Sequence, residues 1–299
     1  MTVSPRVAEE IDTLVAAHPE RAWLVPRTIG IGGKIGHGKS TLARMIQAKF
    51  EHLELAFADH LRNVCEILLG LPPECMSDPA LKAAPLVGFD NGHVFPFDAR
   101  NPVALNLQID KALGVAYCVG ADVFTDAGVV QPIKYRAVRQ TFVVGPRDMA
   151  PHGVRRAIQM RFLQHIWMPL RNGKVFSPRE ILQLVGTEIF RAVDPTIWAW
   201  AWTQQAEGHD VVAPDVRFSN EVNAIRERQG VCIHVSRPGH SALSNHVSEL
   251  SLDTANFDFI LINDGDLEDL WLALVGILDK YSRTRTAQGT ENYLKAMTA

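Results

Sequence analysis

Gly33-Lys34-Ile35-Gly36-His37-Gly38-Lys39-Ser40 matches G-x-x-x-x-G-K-[ST] at every fixed position, the pattern of a loop whose backbone N–H groups cradle phosphates. The short apolar run Thr28-Ile29-Gly30-Ile31-Gly32 leads into it, and a helical pattern over residues 40–50 follows. A polyphosphate is a dense anion, so the chain must approach it closely. Glycines at 33, 36 and 38 take up the necessary dihedrals without a Cβ clash. The helix start offers unpaired N–H groups and the positive end of its dipole. Lys39 supplies a point charge for the outer phosphates, and the Ser40 hydroxyl suits Mg²⁺. Lys34, His37 and Thr41 complete the stretch expected to bind a nucleoside triphosphate.

Working outward, Val7, Ile11, Leu14 and Val15 repeat at helical spacing ahead of the loop. Beyond it, Leu53-Glu54-Leu55-Ala56-Phe57-Ala58 reads as a second strand and Asp59 to Leu69 as a helix. This β-α-β-α alternation predicts a parallel sheet with helices on its faces. Residues 71–151 are less regular, with turn signals at Pro72-Pro73, Asn91-Gly92 and Gly145-Pro146 and a helix near 103–113. Helical pattern returns over 152–170. In Ser177-Pro178-Arg179-Glu180 a capping residue, a first-turn proline and a Glu three residues after the cap all announce a helix. A third helix, carrying Trp198, Trp200 and Trp202, starts near Pro195. Asp210–Asp215, Val231–Val235 and Phe257–Ile262 read as strands, with helices over 220–229 and 266–280. The expected organisation is an N-terminal helical extension (1–27), a core domain (28–284) carrying an insertion at 71–209, and a polar, flexible tail (285–299).

Composition sets the class. Of 299 residues, 47% are hydrophobic and 21% charged, as in ordinary globular proteins. A formal net charge of -3 gives no polybasic face for nucleic acid, while a small phosphorylated ligand needs only a local basic pocket. Cys65, Cys75, Cys118 and Cys232 form no zinc-type spacing and read as reduced thiols. No apolar run predicts a signal peptide, and none reaches the ~20 residues of a membrane span.

Other residues suit the same chemistry. Asp215 ends a strand of the parallel sheet, where side chains meet ligands; it is a candidate for the Mg²⁺ shell or, more simply, a cap for the next helix. Arg217 follows it within reach of a phosphate. Asp59 and Arg62 share one helix face, fit to orient or deprotonate an acceptor and to hold an anion; Asp59 also suits an N-cap. Arg179, Gln183, Thr187 and Arg191 recur every four residues, with Glu188 beside them. Guanidinium groups bind phosphate bidentately, and an amide reads both donors and acceptors. A surface stripe would more commonly carry Lys–Glu pairs. The three tryptophans are core residues or a stacking platform for a base. Arg237 follows a strand and is a candidate phosphate ligand on a moving segment. Arg155, Arg156 and Arg161 read as surface, and His240 and His246 as structural.

In their order and spacing, four stretches of this chain resemble the deoxynucleoside monophosphate kinases of tailed bacteriophages. They are Ile29–Thr41; Ala56-Phe57-Ala58-Asp59-His60-Leu61-Arg62; Ser177–Glu188 with Asp194–Trp198; and Asp215–Glu221 with Arg237-Pro238-Gly239 and His246–Glu249. Many members carry Asp where this chain has Ser40 and Pro where it has His60 and Ser219, and the region from 85 to 150 is longer here. The resemblance implies a three-layer P-loop nucleoside monophosphate kinase fold with a helical acceptor-binding insertion. It further implies Mg²⁺-dependent phosphoryl transfer from ATP to a nucleoside monophosphate, and often a homodimer. By position it places Arg179, Gln183, Thr187, Glu188, Arg191 and Trp198 around the acceptor, with Asp59 and Arg62. Lys39, Arg217, Arg237 and Asp59 become the catalytic set, and Ser40 and Asp215 the metal set. The expected partners are small nucleotides, not nucleic acid or membrane, and the expected compartment is the cytoplasm, a host's if the chain is phage-encoded. Two other readings stay open: a P-loop kinase of the dephospho-CoA kinase type, and a nucleotide-binding regulatory module without transfer.

Overall fold

The computed structural model describes residues 3–18, 23–86, 101–118, 151–239 and 256–298. The predicted turns at Asn91-Gly92 and Gly145-Pro146, and His240 and His246, lie outside them. Contacts divide the chain into two compact units, one of Thr2–Ala56 with Ala206–Ala299 and one of Phe57–Gln205.

The first unit holds the sheet. Helix α1 (Pro5–Ala17) is capped by Ser4, whose side chain accepts from the Val7 N–H. Strand β1 (Thr28–Gly32) is buried throughout. The phosphate-type loop follows, then α2 (Lys39–Phe50) and β2 (Leu53–Glu54). The second strand is shorter than predicted: Leu55 N–H still donates to Val212 O at 2.9 Å, but the chain then turns into α3 (Ala58–Leu69).

The described residues of the second unit form helices. After α3 come α4 (Pro73–Ser77), α5 (Pro79–Ala83) and α6 (Pro102–Ala116). Helix α7 (Pro151–Phe162) runs through a π-helical turn (Leu163–Trp167) into Met168–Arg171. Helix α8 (Pro178–Gln183) widens into a π-helix over Leu184–Arg191, and α9 (Ile197–Ala206) closes the unit. The capping box predicted at Ser177 and Glu180 is formed in both directions. The apolar faces meet in one core that includes Val64, Leu68, Ile109, Leu113, Phe162, Ile181, Val185 and Ile189. Trp198 and Trp200 of α9 lie within it, and Trp202, stacked on Phe57, is fully buried as well. Arg155 is no surface residue: it pairs with the buried Asp110 of α6 at 3.3 Å.

The chain returns to the sheet with β3 (Val211–Val216), α10 (Ser219–Glu227), β4 (Val231–Ser236), β5 (Phe259–Ile262) and α11 (Leu267–Thr298). Read from the sequence to end near 280, the closing helix continues to Thr298, so the 285–299 segment is helical up to that residue. The strands are all parallel in the order β2-β3-β1-β4-β5. Ile29 and Ile31 face a core with Leu42, Ile46, Trp271 and Leu274 from α2 and α11. Gly30, between them, faces Ile225 of α10. Alternate strand residues point to opposite faces, so helices cover both sides of the sheet. The strand order reverses across β1, and in open parallel sheets ligands bind beyond the carboxyl ends at such a reversal.

Candidate functional site

The loop leaves β1 at that reversal. Gly33, Gly36 and Gly38 take φ values of 131°, 82° and 96°, a region that L side chains seldom enter. Gly33 also lies so close to β4 that a Cβ there would stand 2.2 Å from the Val235 carbonyl oxygen. Gly38 is the N-cap of α2 and brings no side chain to cap it. The first turn of α2 therefore opens onto the loop as a concave set of N–H groups. The Lys39 ammonium folds back and donates to Lys34 O at 2.7 Å, which holds its charge over the loop. Ser40 and Thr41 follow, half-buried in the first turn.

Asp215 lies near the carboxyl end of β3, where the register against β1 shifts between Gly30 and Gly32. Its carboxylate and the Ser40 hydroxyl are hard oxygen donors, the chemistry Mg²⁺ prefers, and that ion retains several waters of its own. The donor set fits. Just beyond, Glu221 is 2% exposed and accepts from the backbone N–H groups of Arg217 (2.7 Å) and Phe218 (3.1 Å). This buried carboxylate fixes the turn that carries Arg217. Arg237, half-buried, is the first residue after β4, and its N–H reaches His37 Nδ1 at 3.3 Å.

In the helical unit, Arg62 pairs with Asp59 one turn away. Helix α3 begins at Ala58, with Phe57 in the capping position, so Asp59 lies in its first turn instead of capping it. Gly186 packs on Leu61: a Cβ at Gly186 would meet Leu61 Cδ2 at 2.8 Å. That contact sets α3, through Leu61, against the helix of residues 178–191. Along that helix Arg179, Gln183, Thr187 and Arg191 are half-buried and Glu188 is exposed. In an α-helix four residues overshoot one turn by about 40°, so an i, i+4 row drifts. The wider π-helix advances less per residue, and its presence from Leu184 to Arg191 counteracts the drift. The Nε of Arg179 is buried with no hydrogen-bond partner among the described residues, an orphan that a phosphate oxygen would satisfy. Trp198, 2% exposed, donates from Nε1 to Gly186 O at 3.1 Å and lies 5.4 Å from the Phe190 ring. Its polar edge is thus spent on the helix that carries the arginines.

Burial pushes the His60 pKa down from 6.5, opposed by the Asp59 carboxylate. His234 on β4 is also pushed down, by burial first and then by His37, Lys39 and Lys34. No sequence pattern assigns a role to Glu221 or Asn263. Asn263 is 7% exposed, follows β5, and donates to His37 O at 2.9 Å. Its place at the carboxyl end of a parallel strand is the kind of signal that singles out Asp215. The four cysteines are free thiols. Among the described residues no cluster of three or more His, Cys, Asp or Glu could hold a metal ion, and no helix is long and apolar enough to cross a membrane.

A family model described as deoxynucleotide monophosphate kinase matches residues 27–273. Among curated proteins, the chain is 31% identical over 103 residues to the deoxynucleotide monophosphate kinase of Enterobacteria phage T4, covering 32% of this chain and 43% of that one. It is 26% identical over 213 residues to the deoxynucleoside-5'-monophosphate kinase of Escherichia phage T5, covering 67% and 71%. Against the deoxynucleotide monophosphate kinase of Escherichia phage RB69 it is 28% identical over 110 residues, covering 34% and 45%. The match spans less than two thirds of the T4 and RB69 relatives, and 64% of a relative from Acanthamoeba polyphaga mimivirus.

Proposed function

The chain belongs to the deoxynucleotide monophosphate kinase family, and on that premise we propose that it transfers the γ-phosphoryl group of ATP to a deoxynucleoside 5'-monophosphate, giving the diphosphate. The observation that carries the reading is the loop of residues 33–40, with three glycines at positive φ and a helix start capped only by glycine. The family match supplies the class of acceptor.

The donor triphosphate lies along the backbone N–H groups of Gly33 to Thr41, with Lys34 and His37 in the loop and Lys39 against its outer oxygens. Ser40 and Asp215 hold Mg²⁺, directly or through water, and the ion supplies charge neutralisation when bound. The acceptor monophosphate is held by Arg179 and Arg191, with Arg62 as a further cation. Gln183 and Thr187 offer hydrogen bonds to its base or sugar, and Glu188 and Asp59 orient it. Trp198 acts from below, by fixing the turn at Gly186. The acceptor phosphate is already ionised near neutral pH, so the protein needs no nucleophile of its own. Its task is positioning and electrostatic stabilisation of an in-line displacement. Arg217 and Arg237 neutralise the oxygens of the group in flight. Small nucleotides are the partners; a homodimer and a cytoplasmic setting accompany the reading.

The test is a screen of all ribo- and deoxyribonucleoside monophosphates with ATP and Mg²⁺, reading diphosphate formation by chromatography. Diphosphate from at least one deoxynucleotide, abolished by chelating Mg²⁺, is the expected result. No diphosphate from any monophosphate, by a folded protein, refutes the proposal.

A further inference from the structure

His37 is a variable position of the phosphate-loop pattern, yet it is 5% exposed. A residue at a loop position with no fixed identity is ordinarily free to face solvent. This one is turned inward and engaged from three sides. Its own carbonyl accepts from Asn263 Nδ2 at 2.9 Å. Its ring Nδ1 lies 3.2 Å from the carbonyl oxygen of Val235, the penultimate residue of β4. The same Nδ1 lies 3.3 Å from the backbone nitrogen of Arg237, the residue that leaves β4. The other ring nitrogen is buried with no hydrogen-bond partner among the described residues.

One ring nitrogen cannot serve both neighbours. Carrying a proton, Nδ1 donates to Val235 O and faces the Arg237 N–H donor to donor. Bare, it accepts from Arg237 N–H and faces Val235 O acceptor to acceptor. The two bonds are therefore alternatives, and only the second ties the phosphate loop to the segment bearing Arg237. Gly33 already rests against Val235 O, so the end of β4 is held to the loop in either case. What the imidazole decides is whether the chain one step further, at Arg237, is held as well.

We propose that His37 is a positioning residue for phosphoryl transfer, latching the backbone of Arg237 to the phosphate loop through Nδ1. It touches neither reacting group in this scheme; it acts through Arg237. The inference rests on the reading that the loop binds the donor phosphates and that Arg237 serves them.

Asn and Gln separate the two ring nitrogens chemically. The Asn amide oxygen can stand where Nδ1 stands; a Gln amide reaches instead toward the Nε2 position. The first readout needs no activity: hydrogen exchange of the Arg237 amide in the full chain, followed in wild type, His37→Asn, His37→Gln and His37→Leu. Protection of that amide should be retained in His37→Asn and fall about tenfold or more in the Gln and Leu variants, while exchange in β1 is unchanged. The second readout is kinetic. In His37→Leu, kcat with ATP and the best monophosphate falls about tenfold with the KM for the monophosphate unchanged, and His37→Asn restores it. Adding Arg237→Ala to His37→Leu produces little further loss, because both act on one element. Equal Arg237 exchange in all four proteins overturns the latch whatever the activity. So does a full further loss in the double variant. A wild type that phosphorylates no monophosphate, but shows the exchange pattern, refutes the function while leaving the latch standing.

Discussion

Replacing Gly33 by alanine would place a methyl carbon 2.2 Å from the Val235 carbonyl oxygen at a φ of 131°. Two penalties follow. A backbone conformation natural only to glycine costs an L residue about 1–3 kcal/mol. The contact costs more in function than in stability, since the obstacle is backbone of a central strand and cannot rotate away. Relief to an ordinary separation needs a displacement of about 1 Å, and a misplacement of that size in a catalytic site costs about 100-fold in rate. Gly173 provides the control. Its φ is 82°, and nothing lies within 4 Å of a Cβ built there, so Gly173→Ala carries strain of about 1–2 kcal/mol without a clash. The assay compares kcat/KM for ATP and the thermal midpoint in both variants. Both lose some stability, and only Gly33→Ala loses kcat/KM, by about 100-fold. A folded Gly33→Ala protein within about threefold of wild type would refute the argument that the close approach of loop to strand shapes the phosphate site.

Arg179→Ala should raise the KM for the monophosphate by about 10- to 100-fold, the worth of a charge-assisted hydrogen bond, with the KM for ATP little changed; steady-state kinetics in each substrate will tell. Ser177→Ala removes the cap of α8 and should lower unfolding free energy by about 1 kcal/mol in urea titration. His60 has a folded pKa below its unfolded value of 6.5, chiefly through burial. The unfolded chain then takes up the proton first, so the stability His60 contributes is present above pH 6.5 and is lost as pH falls through 6.5 toward the folded value. Urea midpoints at about pH 7.5 and 5.5 should fall on acidification, and fall less in His60→Gln.

The sheet was legible because its signals are local. Thr28–Gly32, the loop and α2 carry a strand run, a fixed glycine pattern and a helix start in unbroken order, and the capping box at Ser177 and Glu180 announces α8 three times over. The π-helix from Leu184 to Arg191 was not legible: the i, i+4 row of Arg179, Gln183, Thr187 and Arg191 fits either helix, and packing of Gly186 on Leu61 is a long-range fact. The same holds for Arg155, read as surface because arginine usually is, while its partner Asp110 stands 45 residues away in sequence (155 minus 110). Asp59 reads as a cap because its side chain is the best capping group in the stretch, while the helix starts one residue ahead of it, at Ala58. The roles of His37, Glu221 and Asn263 depend on where β4, β3 and β5 end relative to one another, which no local pattern encodes.

On the proposed function, one chain holds a triphosphate on the loop of residues 33–40 and a monophosphate on the Arg179 row at once. An adenosine and a deoxynucleoside joined through five phosphates tests this directly by calorimetric titration. Binding at one molecule per chain, tighter than ATP alone and weakened about tenfold or more by either Lys39→Ala or Arg179→Ala, is the predicted result. Binding no tighter than ATP, or unmoved by Arg179→Ala, would contradict it.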